Sequence, residues 1–276
     1  MTVKEAIERG SRRLGQDAVA AARLTSELLL AHVLGRQRTY LYAHPERSLL
    51  PEEESAFEAC LRERLAGRPA QYITGVQEFY GREFRVTPDV MIPRPETEFV
   101  VQTAAGLCGA GSVVVDAGTG SGAIAVSVQL EAGVRVVATD ISRSALLVAQ
   151  ENARRLRAAV SFVECDLLAA ITGRSVDAVL SNPPYVPDGD EPSLQREVRD
   201  FEPRLALYGG PAGLDLYRRL IAGSLRVLKP GGWLIVECGI RQASLVRDML
   251  GAEWRETRVV DDLAGLPRVL ASRYWP

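Results

Sequence analysis

A chain of 276 residues is long enough for one large domain, or for a small domain joined to a medium one, and either size buries a real core. Hydrophobic residues make up 47% and charged residues 25%, the balance of a folded globular protein rather than a disordered one. With 33 Lys and Arg against 35 Asp and Glu, the formal net charge of -2 argues against a protein that coats nucleic acid through a broad basic face, and leaves room only for a local basic patch.

The N-terminus has no apolar core after a basic start, and no run of about 18 apolar residues follows, so a cytoplasmic protein that neither spans nor enters a membrane is expected. Cys60, Cys108, Cys165 and Cys238 lie far apart with no C-x-x-C pair, so their spacing encodes neither a metal site nor a redox pair.

Residues 1–67 read as a small helical bundle. Asp17 is placed to cap a helix through "AVAAARLTSELLLAHVL", with Leu24, Leu28, Leu29 and Val33 at helical spacing and Gly35 as its stop. A further helix is predicted from Pro51, carrying Phe57, Leu61 and Leu65 on one side and ending at Gly67. Residues 68–95 change character: β-branched and aromatic residues are punctuated by Gly75, Gly81 and several prolines, as in a hairpin and linker.

From 96 to 276 strand-like and helix-like segments alternate. "SVVVDAG" precedes a helix from about 121, and "VRVVATD" precedes one from about 142 to 157. "VSFVEC", "VDAVLSN", a helix near 213–228 and "GWLIVEC" follow. That alternation predicts an α/β domain with a mostly parallel sheet covered by helices on both faces. The tail "WRETRVVDDLAGLPRVLASRYW" fits two strands joined by a hairpin at one sheet edge.

Gly118, Gly120 and Gly122 stand directly after the first sheet strand and before a helix, where glycine lets the backbone approach a ligand and the helix N-terminus offers free N–H groups. Asp140 ends the next strand about 20 residues on, the place of a carboxylate that accepts both hydroxyls of a ribose. A nucleoside-containing cofactor is implied. Gly118, Gly120 and Ala123 also satisfy the looser G-x-G-x-x-A dinucleotide pattern, so the loop leaves a nicotinamide cofactor open, while no phosphate-gripping P-loop is present. Asp166, after the third strand, falls at the same sheet edge as either an adenine-amine acceptor or an ordinary loop aspartate. His32 and His44 both lie in the helical part, which removes a histidine base from the α/β domain.

The strand "VDAVLS" ends in Asn182-Pro183-Pro184-Tyr185. Two prolines fix two φ angles and remove two donors, leaving outward carbonyl acceptors. Such a loop suits a planar NH2 group, whose hydrogens go to the Asn182 side-chain oxygen and the Pro183 carbonyl, with Tyr185 packed over its plane. Gripping both hydrogens localises a nitrogen lone pair that is otherwise delocalised and aims it at an electrophilic methyl.

"DAGTGSG", Asp140 and "NPPY" together resemble the class I S-adenosylmethionine-dependent methyltransferases of planar nitrogens. "EFYGREFRVTPDVMIPRPETE" and "REVRDFEPRLALYGGPAGLDLYRRL" resemble, more narrowly, the HemK/PrmC family of protein-glutamine methyltransferases, over nearly the whole chain. The resemblance implies a Rossmann-like, mostly parallel seven-stranded sheet behind a small N-terminal helical bundle that recognises the substrate. It implies methyl transfer from S-adenosylmethionine, with S-adenosylhomocysteine as product, to the glutamine of the Gly-Gly-Gln motif in class I peptide chain release factors. By position it assigns Gly118, Thr119, Gly120, Ser121, Gly122, Asp140, Asp166, Leu167 and Asn182 to the cofactor, and Asn182, Pro183, Pro184 and Tyr185 to the glutamine and the catalysis. Leu167 departs from the aromatic residue frequent in the family at that place.

A ribosomal-protein glutamine and an adenine amino group are the alternative acceptors. An adenine in a duplex requires flipping and a basic groove, which the slightly acidic balance does not supply, so no direct nucleic-acid substrate is expected. With no long apolar stripe to pair, a monomer is expected. Arg154, Arg155 and Arg157 read as a solvated helix end, Arg94 as part of an extended loop, and Glu96 to Glu98 as a helix start. Glu237, ending "WLIVE" at the same sheet edge, carries no role at this stage.

Overall fold

The computed structural model describes residues 1–276. They form two compact units: residues 1–76 with 195–201, and residues 77–194 with 202–276.

In chain order the elements are α1 (Val3–Gln16), α2 (Ala22–Val33), α3 (Arg38–Ala43), α4 (Pro51–Leu65), α5 (Ala70–Thr74), β1 (Val76–Phe79), β2 (Arg82–Arg85), α6 (Glu98–Leu107) and β3 (Val113–Ala117). They continue with α7 (Ala123–Ala132), β4 (Arg135–Asp140), α8 (Arg143–Leu156), β5 (Val160–Glu164), β6 (Val176–Ser181) and α9 (Arg196–Phe201). The last are α10 (Asp215–Val227), β7 (Leu228–Glu237), α11 (Ala243–Asp248), β8 (Trp254–Asp261) and β9 (Pro267–Tyr274).

The first unit is helical because its ends are capped and its stripes are apolar. Thr2 and Glu5 form a capping box at α1: Thr2 Oγ1 accepts the Glu5 N–H at 3.3 Å and the Glu5 carboxylate accepts the Thr2 N–H at 2.7 Å. Leu14, Leu29, Leu30, Phe57 and Leu61 are fully buried in one cluster, each contributing about 1.5–3 kcal/mol through lost water contact. The segment 195–201 joins this unit, with Arg64 on α4 paired to Glu197 at 2.5 Å.

Two readings of α2 are corrected. Asp17 is the C-cap of α1 and does not start α2, which begins after Ala21 in the left-handed region at φ 48°. Leu24 and Leu28 are 40% and 38% exposed, and the inward face is Ser26, Leu29 and Leu30. The cause is Gly10 of α1: a Cβ there would collide with the Ser26 hydroxyl, so a bare glycine admits a small polar residue where the spacing suggests a leucine. Ser26 Oγ donates to the Ile7 carbonyl at 3.1 Å, which satisfies it in the core.

In the second unit Tyr80 and Gly81, at φ 51° and 68°, make the two-residue turn of the β1–β2 hairpin. The main sheet has seven strands in the order β5-β4-β3-β6-β7-β9-β8. The first five are mutually parallel, and β9 runs antiparallel to both β7 and β8. Successive residues of a strand feed opposite layers, as the two-residue period requires. Val114, Leu180 and Ile235 pack with α6 and α7, while Val115, Val179 and Leu234 pack with α10 and α11. The order reverses between β3 and β6, so the carboxyl ends of β3, β4 and β6 open on the crevice where such sheets bind ligands.

Candidate active site

A cavity of about 300 Å³ lies at those strand ends. Its wall includes Gly118, Thr119, Gly120, Ser121, Asp140, Asp166, Leu167, Asn182 and Pro184. Gly122, Pro183 and Tyr185 do not line it. Gly122 sits behind the loop at φ 82°, where a Cβ would lie 3.1 Å from the Ala149 Cβ on α8.

Gly118 and Gly120 have φ of 74° and 54°, and a Cβ on either would meet no protein atom within 4 Å. The loop is therefore kept bare on its cavity side. Four N–H groups of the loop are used within the protein, while those of Ser121 and of Ala123 and Ile124 at the start of α7 have no protein acceptor, as expected of a helix N-terminus. Gly118 and Thr119 each donate to the Thr139 carbonyl at 2.9 Å, Gly120 donates to Asp140 Oδ2 at 2.9 Å, and Gly122 donates to the Thr119 carbonyl at 2.8 Å. Among the charged side chains in the wall, Asp89, Asp140 and Asp166 outnumber Arg219, which favours a cationic or neutral ligand over a phosphate.

Asp140 is held in place from both sides, with Oδ1 accepting the Ser142 N–H at 2.8 Å while Oδ2 takes Gly120. A carboxylate accepts about four hydrogen bonds, so capacity remains for a diol. Asp166 pairs with Arg219 at 2.6 Å. Leu167 adopts a left-handed φ of 49°, and its carbonyl accepts the Thr139 hydroxyl at 2.7 Å, which turns its side chain into the cavity wall. Ile124, Ile141 and Leu216 add apolar wall suited to a base or an alkyl chain. The wall therefore fits a nucleoside whose other end is a cation.

Asp116, the acid that opens the glycine segment on β3, is fully buried. Its Oδ2 accepts Thr119 Oγ1 at 2.6 Å and the Ala125 N–H at 3.1 Å, while Oδ1 has no partner. Burial pushes its carboxyl up to about 7, against the pull of those two hydrogen bonds.

On the other side of the cavity, Asn182 Nδ2 donates to Thr97 Oγ1 at 3.1 Å, and Thr97 Oγ1 donates to Glu237 Oε2 at 2.6 Å. The Tyr185 hydroxyl donates to Glu237 Oε1 at 3.2 Å, and the Tyr185 carbonyl accepts Gln242 Nε2 at 3.0 Å. The Pro183 and Pro184 carbonyls accept nothing from the protein. Glu237 is 1% exposed, and burial raises its carboxyl to about 7 despite the hydrogen bonds from Thr97 and Tyr185.

Sequence reasoning missed Thr97 and left Glu237 without a role. The only signal for Glu237 is a carboxylate that ends a continuously apolar strand; Thr97 is concealed in "PETE" as an ordinary helix-start residue. Arg94 pairs with Glu202, whose other oxygen accepts the Ile92 N–H at 3.3 Å, so this loop is braced rather than loose. No cluster of His, Cys, Asp and Glu suited to a metal occurs.

A bare glycine loop, a diol-ready aspartate and an acceptor-rich strand end around one cavity of a doubly wound sheet define a Rossmann-like methyltransferase. A crystal structure of a methyltransferase from Pyrococcus furiosus shares this fold at a TM-score of 0.56 and 15% identity, covering 80% of this chain and 100% of its own. The Mtq2–Trm112 complex of E. cuniculi, responsible for methylating the termination factor eRF1, matches at 0.50 and 24%, covering 68% and 99%. Two family models also match, the PrmC N-terminal domain over residues 5–75 and the methyltransferase small domain over 97–198. Release factor glutamine methyltransferases of Koribacter versatilis and Moorella thermoacetica are 44% and 43% identical to the chain, covering 99% and 97% of it and the same shares of their own lengths. The chain belongs to the release factor glutamine methyltransferase family. It is a methyltransferase, and its methyl donor is S-adenosylmethionine.

Proposed function

We propose that the chain transfers a methyl group from S-adenosylmethionine to the side-chain amide nitrogen of the glutamine in the Gly-Gly-Gln motif of class I peptide chain release factors. One observation carries the reading: Asn182 and Pro184 line the same cavity as Gly118, Gly120 and Asp140, so an amide acceptor and a nucleoside holder share one space. Asp140 would hold the ribose diol, Gly118 to Ser121 would border the sugar and the amino acid chain, and Leu167 and Asp166 would meet the adenine and its amine. When bound, S-adenosylmethionine supplies an electrophilic methyl carbon and departs as S-adenosylhomocysteine.

The chain's own residues prepare the nucleophile. Asn182 Oδ1, in the cavity wall, and the neighbouring Pro183 carbonyl, which lies outside that wall but accepts nothing from the protein, take the two glutamine N–H bonds, which orients the nitrogen lone pair toward the methyl carbon. Attack by that nitrogen would form the new C–N bond and leave the electron pair of the broken S–C bond on sulfur. The alkylated nitrogen then loses a proton to water, so no strong base is required. Tyr185, anchored to Glu237 and Gln242, keeps the strand end rigid behind them.

The helical first unit recognises the release factor, and the enzyme works as a cytoplasmic monomer. No helix is long and apolar enough to cross a membrane. The test is transfer of labelled methyl to a purified class I release factor, beside the same factor with its Gly-Gly-Gln glutamine replaced by asparagine, a ribosomal-protein fraction and DNA. Label in the intact factor alone is expected. Label in the substituted factor, the ribosomal proteins or the DNA overturns the assignment.

A further inference from the structure

Behind the cavity wall, the hydrogen bonds from Asn182 through Thr97 to Glu237 form a chain whose protons can be counted. Thr97 and Glu237 are 4% and 1% exposed, and of the two only Thr97 reaches the cavity. A threonine hydroxyl carries one proton and an ionised carboxylate none. With Glu237 ionised, the Thr97 proton is committed to Oε2, and toward Asn182 the hydroxyl offers only a lone pair. That lone pair selects the NH2 end of the Asn182 amide. Oδ1, which takes no hydrogen bond from the protein, is thereby turned away from Thr97 on a residue that lines the cavity. The proton on Thr97, once donated to Glu237, fixes which end of the Asn182 amide faces the hydroxyl, whichever way the O and N of that amide are placed.

While Tyr185 donates to Oε1, a proton taken up by Glu237 goes to Oε2, the oxygen facing Thr97, and reverses the chain. The carboxyl then donates to Thr97, Thr97 donates to Asn182, and the amide presents its NH2 to the cavity. Against a substrate NH2, that arrangement sets donor against donor.

We infer that Glu237, acting through Thr97, is the positioning residue that holds the Asn182 amide oxygen toward the substrate nitrogen, and that neutralising Glu237 switches the site off. This rests on the proposed role of Asn182 as holder of the glutamine amide. The same carboxylate anchors Tyr185, so one buried charge sets both ends of the Asn182–Tyr185 segment.

The groups facing Glu237 come from every neighbouring element. Thr97 and Glu96 approach from the turn before α6, Tyr185 from the loop after β6, and Arg268 from β9. Tyr217 on α10 donates to the Glu237 carbonyl at 2.9 Å, and Cys238 follows in the chain. Arg268 favours the charged form and Glu96 opposes it, with burial the largest influence. An acid limb near neutral pH follows from that balance.

The test compares wild type with Glu237→Gln, Thr97→Val and Thr97→Ser, using S-adenosylmethionine, a purified release factor and steady-state kinetics across about pH 6–8.5. Cofactor binding by calorimetry reports folding. Wild type is expected to lose kcat on the acid side of about pH 7, as Glu237 takes up its proton. Glu237→Gln and Thr97→Val are expected to lower kcat about 10- to 100-fold while binding cofactor normally, and to lack the acid limb. Thr97→Ser, which keeps the hydroxyl, is expected to recover kcat to within about threefold of wild type. Thr97→Val with wild-type kcat and an intact limb, or a limb that persists in Glu237→Gln, overturns the inference. Should Glu237→Gln fail to bind cofactor, the contrast between valine and serine at 97 decides alone. Absence of transfer by wild type itself overturns the functional reading on which the inference stands.

Discussion

In the proposed reading, single side chains divide the work of the cavity between holding the cofactor and presenting the amide, and kinetics can separate the two. Asn182→Ala removes the amide acceptor, so kcat is expected to fall about 10²- to 10³-fold while cofactor affinity stays within about tenfold; full activity in that variant contradicts the mechanism. Asp140→Ala has the opposite signature. It removes a charged acceptor that also pins Gly120 and Ser142, and calorimetry is expected to show a cofactor Kd raised about 10- to 100-fold. An unchanged Kd would remove Asp140 from the cofactor site. Asp140, the glycines and Asn182 to Tyr185 are legible in the sequence because each stands at the end of a strand that its own apolar run announces. Thr97 and Glu237 are not, since the bond that joins them spans 140 positions and a buried polar pair has no local pattern. Leu167 hides its left-handed backbone for the same reason: the tertiary bond from the Thr139 hydroxyl to its carbonyl holds it there.

At the level of elements, the loop after β6 keeps its shape because a second segment pairs with it. Val186 donates to the Leu207 carbonyl and accepts from Gly209, each at 2.9 Å, and the chain then turns at Gly213 with φ 68°. A Cβ at Gly213 would collide with the Tyr185 carbonyl oxygen, the atom that also receives Gln242. Gly213→Ala is therefore expected to lower thermal stability by about 1–3 kcal/mol and to reduce kcat together with it. Gly81→Ala is the control. Its φ of 68° is equally left-handed, but a Cβ there meets nothing within 4 Å, so it is expected to cost only about 1 kcal/mol of backbone strain and leave kcat unchanged. Equal losses in both variants would show that the close approach at Gly213 is irrelevant. The strands and the order of elements in this unit are legible because buried parallel strands read as unbroken apolar runs. The start of α2 is not, because leucines occupy both of its faces and Gly10, on another helix, decides which face turns inward.

For the molecule as a whole, buried acid shapes stability as well as chemistry. The Asp116 carboxyl is raised from 3.8 to about 7 by burial, so between those values the folded state binds more protons than the unfolded state. Stability must then fall as pH rises through that window, with the full penalty present above about pH 7. Asp116→Asn mimics the protonated form. Urea unfolding at pH 5 and 8 is expected to show wild type losing about 1–4 kcal/mol relative to the variant between the two, whereas parallel pH profiles would deny the shift. Glu237, raised to about 7, adds to the same slope. These two carboxyls flank a cavity whose residues serve one claim: that a glutamine amide nitrogen is held at the β6 end and receives a methyl there. The most direct measurement is site-resolved mass spectrometry of a class I release factor after incubation with the enzyme and S-adenosylmethionine. A single methyl on the Gly-Gly-Gln glutamine nitrogen, formed about 10²- to 10³-fold more slowly when Asn182→Ala replaces wild type, is the expected result; a methyl on any other residue, or one formed at the wild-type rate with Asn182→Ala, contradicts the account.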